Sequence, residues 1–169
     1  MNAALARSYD LERKGLDFYL SLAAKCGNRL AKRTLFSLAQ EEIQHMMKID
    51  EISSIIDKSG DWPAAGFKVS DIEISIKDFF VKAKLTISSP DKDNAAIIKE
   101  AMAFEKKSYD LYSDLEKKSS AENEKYFYAQ LKQQESKHYE ALENVYYYLL
   151  KTGDWFGQDE GKVWNWMNL

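Results

Sequence analysis

The chain has 169 residues, 45% apolar and 30% charged, which excludes a disordered segment and sets one globular domain as the expectation. Its 24 basic and 27 acidic residues are mixed along the sequence for a net charge of -3, so no basic stripe marks a nucleic-acid face. Seven Gly and two Pro leave too little turn chemistry for a many-stranded β fold, and the single cysteine, Cys26, excludes an intrachain disulfide, a four-cysteine zinc site and a Cys-x-x-Cys redox pair.

In chain order, Leu5, Tyr9, Glu12, Leu16, Tyr19 and Ala23 form a stripe at alternating spacings of four and three, the signature of an amphipathic helix. Ala31, Leu35, Leu38, Glu42, His45, Ile49, Ile52 and Ile56 form a second, interrupted by two ionisable residues one turn apart. Gly27-Asn28 between them reads as a C-cap and turn pair. The stretch 60–94 is read as a crossover with a short helix near 72–81, bracketed by the turn signals Gly60-Asp61-Trp62-Pro63 and Ser88-Ser89-Pro90-Asp91. Beyond it, Ile98, Met102, Glu105, Tyr109 and Tyr112 repeat the first stripe. Tyr128, Leu131, Glu135, His138, Leu142, Val145 and Leu149 repeat the second, with Ser119-Ser120 in the turn.

The halves are thus an internal repeat at an offset of 93 residues: Glu12 matches Glu105, Tyr19 matches Tyr112, Leu38 matches Leu131, Glu42 matches Glu135 and His45 matches His138. Two helical hairpins joined by a long connection predict an all-α four-helix bundle over 1–152. The tail 153–169, with Trp155, Phe156, Trp164 and Trp166, is too aromatic to stay uncovered and is expected to pack on the bundle or a partner subunit. No signal-peptide-like start and no apolar run near the ~18 residues of a membrane span are present, so a cytoplasmic protein without a membrane partner is expected.

The only two histidines, His45 and His138, each follow a glutamate by three residues, and each of those follows another glutamate by thirty. The midpoint of Glu12 and Glu42 is Gly27 and that of Glu105 and Glu135 is Ser120, so both pairs lie about 22 Å from their turns and face each other across the bundle. Four carboxylates in an apolar core cannot all stay ionised and unpaired. Two divalent cations would neutralise them, and mixed carboxylate and imidazole ligands favour iron or manganese, with zinc also possible.

Glu12-x-x-Gly15-x-x-Phe18-Tyr19, Leu38-Ala39-x-Glu41-Glu42-x-x-His45, Glu105-x-x-x-Tyr109-x-x-Tyr112 and Glu135-x-x-His138 together resemble the rubrerythrin-like branch of the ferritin-like superfamily over about 3–150. The resemblance implies a di-iron centre with Glu42 and Glu135 bridging, Glu12 and Glu105 terminal, and His45 and His138 on one metal each. It also implies Tyr19 and Tyr112 as hydrogen-bond partners of the ligands. The implied function is an oxidoreductase reacting with hydrogen peroxide or dioxygen. Because one cysteine cannot form a rubredoxin-type iron site, the electron donor is an external protein such as a rubredoxin. Where rubrerythrins carry a further glutamate one turn from the third-helix ligand, this chain has Met102 and Ser108. Ferrous iron oxidation or handling, and a non-catalytic metal-binding or interaction protein, are the alternatives. A homodimer is expected from the resemblance and the aromatic tail. Tyr9, Tyr109 and Tyr128 read as packing residues, Cys26 as inert, and Glu41, turned about 100° from Glu42, as solvated or interhelical.

Overall fold

A computed structural model describes residues 2–63 and 89–150 of the chain. They form four helices, α1 (Ala3–Lys25), α2 (Arg29–Ser59), α3 (Lys92–Lys118) and α4 (Glu122–Leu150), with no strand among the described residues. α1 pairs with α2 and α3 with α4 as antiparallel hairpins, and the hairpins pack through α1 on α3 and α2 on α4. This is the all-α four-helix bundle expected from the repeat. The short helix expected at 72–81 and the tail 153–169 lie outside the described residues.

Local chemistry explains where the helices begin and end. Asn2 Oδ1 accepts the Leu5 amide at 2.8 Å and starts α1; Asn28 Oδ1 accepts the amides of Leu30 and Ala31 and starts α2; Asp91 Oδ1 accepts the Asn94 amide and starts α3. Each satisfies donors that the first helical turn leaves without a partner. The expected C-cap at Gly27 is corrected: Cys26 closes α1 in extended backbone, its amide bonding Leu22 and Ala23 carbonyls. Gly27 instead gives its amide to Asn94 Oδ1 at 2.9 Å, and that tertiary bond replaces the left-handed cap. Gly60 ends α2 at φ 78, a conformation that suits glycine.

The first residues of α3 are pinned at the α1–α2 turn. Asn94 Oδ1 accepts from Gly27 and Asn28, while the Asp91 amide bonds the Leu149 carbonyl at 2.8 Å. So α3 starts beside that turn and α4 ends there, the placement that a long crossover permits. Cys26 is buried in the same knot with its thiol on Asn94 Oδ1. Burial pushes its pKa up, in keeping with an inert thiol.

The core is divided in two. Near the α1–α2 turn, Tyr19, Leu22, Leu35, Leu38, Ile98, Leu142 and Val145 form one apolar cluster; toward the α3–α4 turn, Leu5, Ile49, Ile52, Tyr112, Phe127, Tyr128 and Leu131 form another. Burying each leucine or isoleucine stabilises the fold by about 2 kcal/mol. Between the clusters every helix turns a charged or polar side chain inward.

Candidate metal centre

Glu12, on the buried face of α1, Glu42 and His45 on α2, Glu105 on α3, and Glu135 and His138 on α4 all lie in that layer, each no more than 2% exposed. The equal heights read from the turns are what the bundle shows. Glu12 Oε2 and His45 Nδ1 are 2.9 Å apart. His45 Nδ1 also lies 3.7 Å from Glu42 Oε2 and 3.9 Å from Glu135 Oε1. His138 Nδ1 lies 3.4 Å from Glu105 Oε1 and 3.9 Å from Glu135 Oε2. The two imidazoles stack with centroids 5.5 Å apart. Oxygen and nitrogen atoms within 4.8 Å of one another gather into three sets: Glu12, Glu42 and His45; Glu42, Glu105, Glu135 and His138; and Glu41, His45 and His138. Glu42 belongs to the first two, and Glu135 reaches both imidazoles.

Two phenols cross between hairpins to hold the outer carboxylates. Tyr112 of α3 donates its hydroxyl hydrogen to Glu12 Oε1, and Tyr19 of α1 donates to Glu105 Oε1. Each stands seven residues past the glutamate of its own helix, so the repeat builds the arrangement twice in exchanged form. Burial, and then the charges of Glu105 and Glu42, push the Tyr19 pKa well up, which keeps this phenol a hydrogen-bond donor.

The carboxylates cannot share this space as anions. Burial, followed by the charge of Glu105, lifts Glu12 to about 7 despite an opposing hydrogen bond with Glu42. Glu42 is pushed well up by burial and then by Glu12; Glu135 is pushed well up by burial and then by Glu105, Glu12 and Glu42. For Glu105, burial is outweighed by His138, Glu135 and Tyr19, and its pKa falls. Without a counterion the cluster must hold protons.

The donor set fits a metal pair on a direct observation. Glu42 Oε1, Glu105 Oε2, Glu135 Oε1, His45 Nε2 and both nitrogens of His138 are buried without a hydrogen-bond partner; the one other such side-chain atom among the described residues is the Tyr128 hydroxyl. A buried unpaired polar atom costs about 1–3 kcal/mol, and here such atoms converge in one layer. Cations accept lone pairs from all of them at once, and iron, manganese and zinc all bind oxygen and imidazole nitrogen.

Two neighbours escaped the sequence reading. The expectation of a solvated Glu41 is corrected: it is buried, with a carboxylate oxygen within 4.8 Å of ligand atoms of His45 and His138. The interhelical alternative is what the bundle shows, because α2 is covered by α1 on one side and α4 on the other, so a turn of 100° still faces protein. Gly15 is the second. A Cβ there would stand 3.0 Å from Glu42 Cδ and Oε1 and 3.1 Å from Phe104. The signal was a glycine in mid-helix, where it costs about 1 kcal/mol relative to alanine and so asks for a packing reason. At the matching place on α3, Ser108 is buried with its hydroxyl on the Phe104 carbonyl at 3.3 Å, and no further carboxylate enters the layer from there.

A model of the rubrerythrin family matches residues 3–146. The chain belongs to the rubrerythrin family. The match covers both hairpins and all six glutamate and histidine residues of the cluster. Comparisons with curated proteins and with solved structures found no match. As in the family's ferritin-like superfamily, the buried carboxylate and imidazole groups can hold metal, and no helix among the described residues is long and apolar enough to cross a membrane.

Proposed function

We propose that this rubrerythrin-family chain is a di-iron oxidoreductase that reduces hydrogen peroxide or dioxygen with electrons from an external donor protein such as a rubredoxin. The observation that carries the reading is the convergence of the orphaned atoms of Glu42, Glu105, Glu135, His45 and His138 in one buried layer. Glu12, Glu42 and His45 would hold one iron and Glu105, Glu135 and His138 the other, and Glu42 and Glu135 would be shared between them; the proximity of their ligand atoms supports this assignment. Bound as a ferrous pair, the irons supply two electrons to peroxide.

The chain's own residues do the rest. Tyr112 and Tyr19 fix the orientation of Glu12 and Glu105 through their hydroxyls, as outer partners fix metal ligands generally. The apolar clusters on either side of the layer exclude bulk water. Glu12, Glu42 and Glu135, which hold protons in the metal-free cluster, release them when cations enter, so that two ferrous ions meet four carboxylates in charge balance. We place this activity in the cytoplasm and in a homodimer.

The test is an anaerobic ferrous titration of the apoprotein followed by one equivalent of hydrogen peroxide. Two irons per chain and a rapidly formed oxo-bridged ferric spectrum are expected. Fewer than one iron per chain, or a bound pair indifferent to peroxide and air, would overturn the proposal.

A further inference from the structure

The two halves of the bundle differ in what stands behind their matching tyrosines. Tyr19, on Glu105, is flanked by Phe18 and Phe104, with centroids 6.0 and 5.8 Å away; phenylalanine rings resist oxidation. Tyr112, on Glu12, instead stacks on Tyr128, with centroids 6.4 Å apart and planes 18° from parallel. Tyr128 in turn meets Trp62 edge-on, at 6.0 Å and 68°. Trp62 is half-buried just past the cap of α2. Oxidisable rings therefore run in contact from a ligand of the cluster to the protein surface, and among the described rings they do so on one side only.

The repeat sharpens the contrast. Lys58-Ser59-Gly60-Asp61-Trp62 recurs 93 residues later as Lys151-Thr152-Gly153-Asp154-Trp155, so each half carries the tryptophan, whereas the residue matching Tyr128 is Leu35. Packing alone does not explain a phenol at 128. Its hydroxyl is buried against Ser8, a polar atom that phenylalanine or leucine would not bring into the core.

We propose that Trp62, Tyr128 and Tyr112 form a one-electron relay that connects the external one-electron donor to the metal centre; the inference rests on the di-iron reading above. Dioxygen takes four electrons and four protons to become two waters. Two ferrous ions becoming ferric supply two electrons, and the relay supplies the other two in separate passages. In each passage Tyr112 gives an electron inward and its phenolic proton to Glu12 Oε1, the atom to which it already donates. Trp62 then returns an electron through Tyr128, and Tyr112 takes its proton back from Glu12. The oxidised Trp62 regains an electron from the donor. Two passages oxidise the donor by two electrons in single steps, and solvent supplies all four protons.

The test uses the diferrous holoprotein, mixed once with dioxygen in the absence of any other reductant. Freeze-quenched electron paramagnetic resonance should show an indole radical, and peptide mass spectrometry should find oxidation concentrated at Trp62 over Trp155, its match in the repeat. Tyr128→Phe removes only the hydroxyl and is expected to keep the iron stoichiometry and helical content of the parent while losing both signatures to the level of metal-free protein. Trp62→Phe should change the radical from an indole to a phenoxyl pattern. Equal Trp62 oxidation in Tyr128→Phe and parent, or a radical spectrum unaltered by Trp62→Phe, overturns the relay alone when two irons bind and are oxidised in the same samples. Failure to bind iron overturns the di-iron reading and the relay with it.

Discussion

Removing the metal should make stability fall as pH rises, and the size of the fall follows from the buried carboxyls. A carboxyl whose pKa is raised on folding binds more protons in the folded state, so its contribution to stability is present below the unfolded pKa and is lost as pH climbs through the folded one. Glu12 goes from an ordinary 4.5 to about 7, which at about 1.36 kcal/mol per pH unit is a loss of about 3 kcal/mol across that window. For a chain of this size that corresponds to a fall of roughly 6–12 °C in Tm. Glu42 and Glu135, whose pKa values burial also pushes well up, add loss of the same sign. Glu105 has the opposite sign, but its lowered pKa places its effect below the ordinary carboxylate range and outside the window. With metal bound, the ligands are deprotonated and affinity rises with pH, so the metal-loaded protein should keep its stability while the apoprotein loses it. The assay is thermal unfolding of anaerobic apo and ferrous-loaded protein at intervals from pH 5 to 8. Parallel curves, or an apoprotein that gains stability across that range, would refute the reasoning.

Other perturbations separate the contributions. Glu42→Ala and Glu135→Ala should each drop iron below two per chain and abolish rapid oxidation of the ferrous protein by peroxide; unchanged stopped-flow rates in both would count against their bridging role. Gly15→Ala should weaken metal binding more than folding, because its Cβ presses on the Glu42 carboxylate at 3.0 Å while helix propensity returns up to about 1 kcal/mol. Calorimetric metal affinity against apoprotein urea midpoints reads the difference, and equal affinity would show that the carboxylate does not need the space. Tyr112→Phe removes the donor to Glu12 and should weaken metal binding by about 10–100-fold with the helical content retained, the usual cost of losing a group that orients a ligand. Leu38→Ala, at a fully buried position in the cluster nearer the α1–α2 turn, should cost about 2–5 kcal/mol in urea unfolding.

The fold and the inner cluster were legible because one period governed both. The repeat at 93 residues fixed the pairing of Glu12 with Glu105 and of His45 with His138 before any coordinates, and equal distances from two turns placed them at one height, where they are found. What failed to show was anything set by a neighbouring helix. Glu41 read as solvated or interhelical because a single helix does not show what covers its flank, while in the bundle α2 has protein on two sides. Gly27 looked like a cap because glycine often ends helices, but the bond from its amide to Asn94, on a helix 67 residues away in sequence, holds it otherwise. Tyr128 read as a packing residue, which it is; that it also bridges Tyr112 and Trp62 depends on three elements meeting, and no spacing within one helix encodes that.

The duplication that makes the cluster readable is also broken in ways that make its two halves unequal. His45 Nδ1 lies at hydrogen-bond distance from Glu12, while both nitrogens of His138 are without a partner. Gly15, beneath Glu42, is matched by Ser108; Glu41, beside both imidazoles, is matched by Gln134, a neutral side chain. Two cations entering this layer would therefore meet different charge and different room, the one beside Glu12 and His45 held by the more hydrogen-bonded set and the one beside His138 by the set with more open lone pairs.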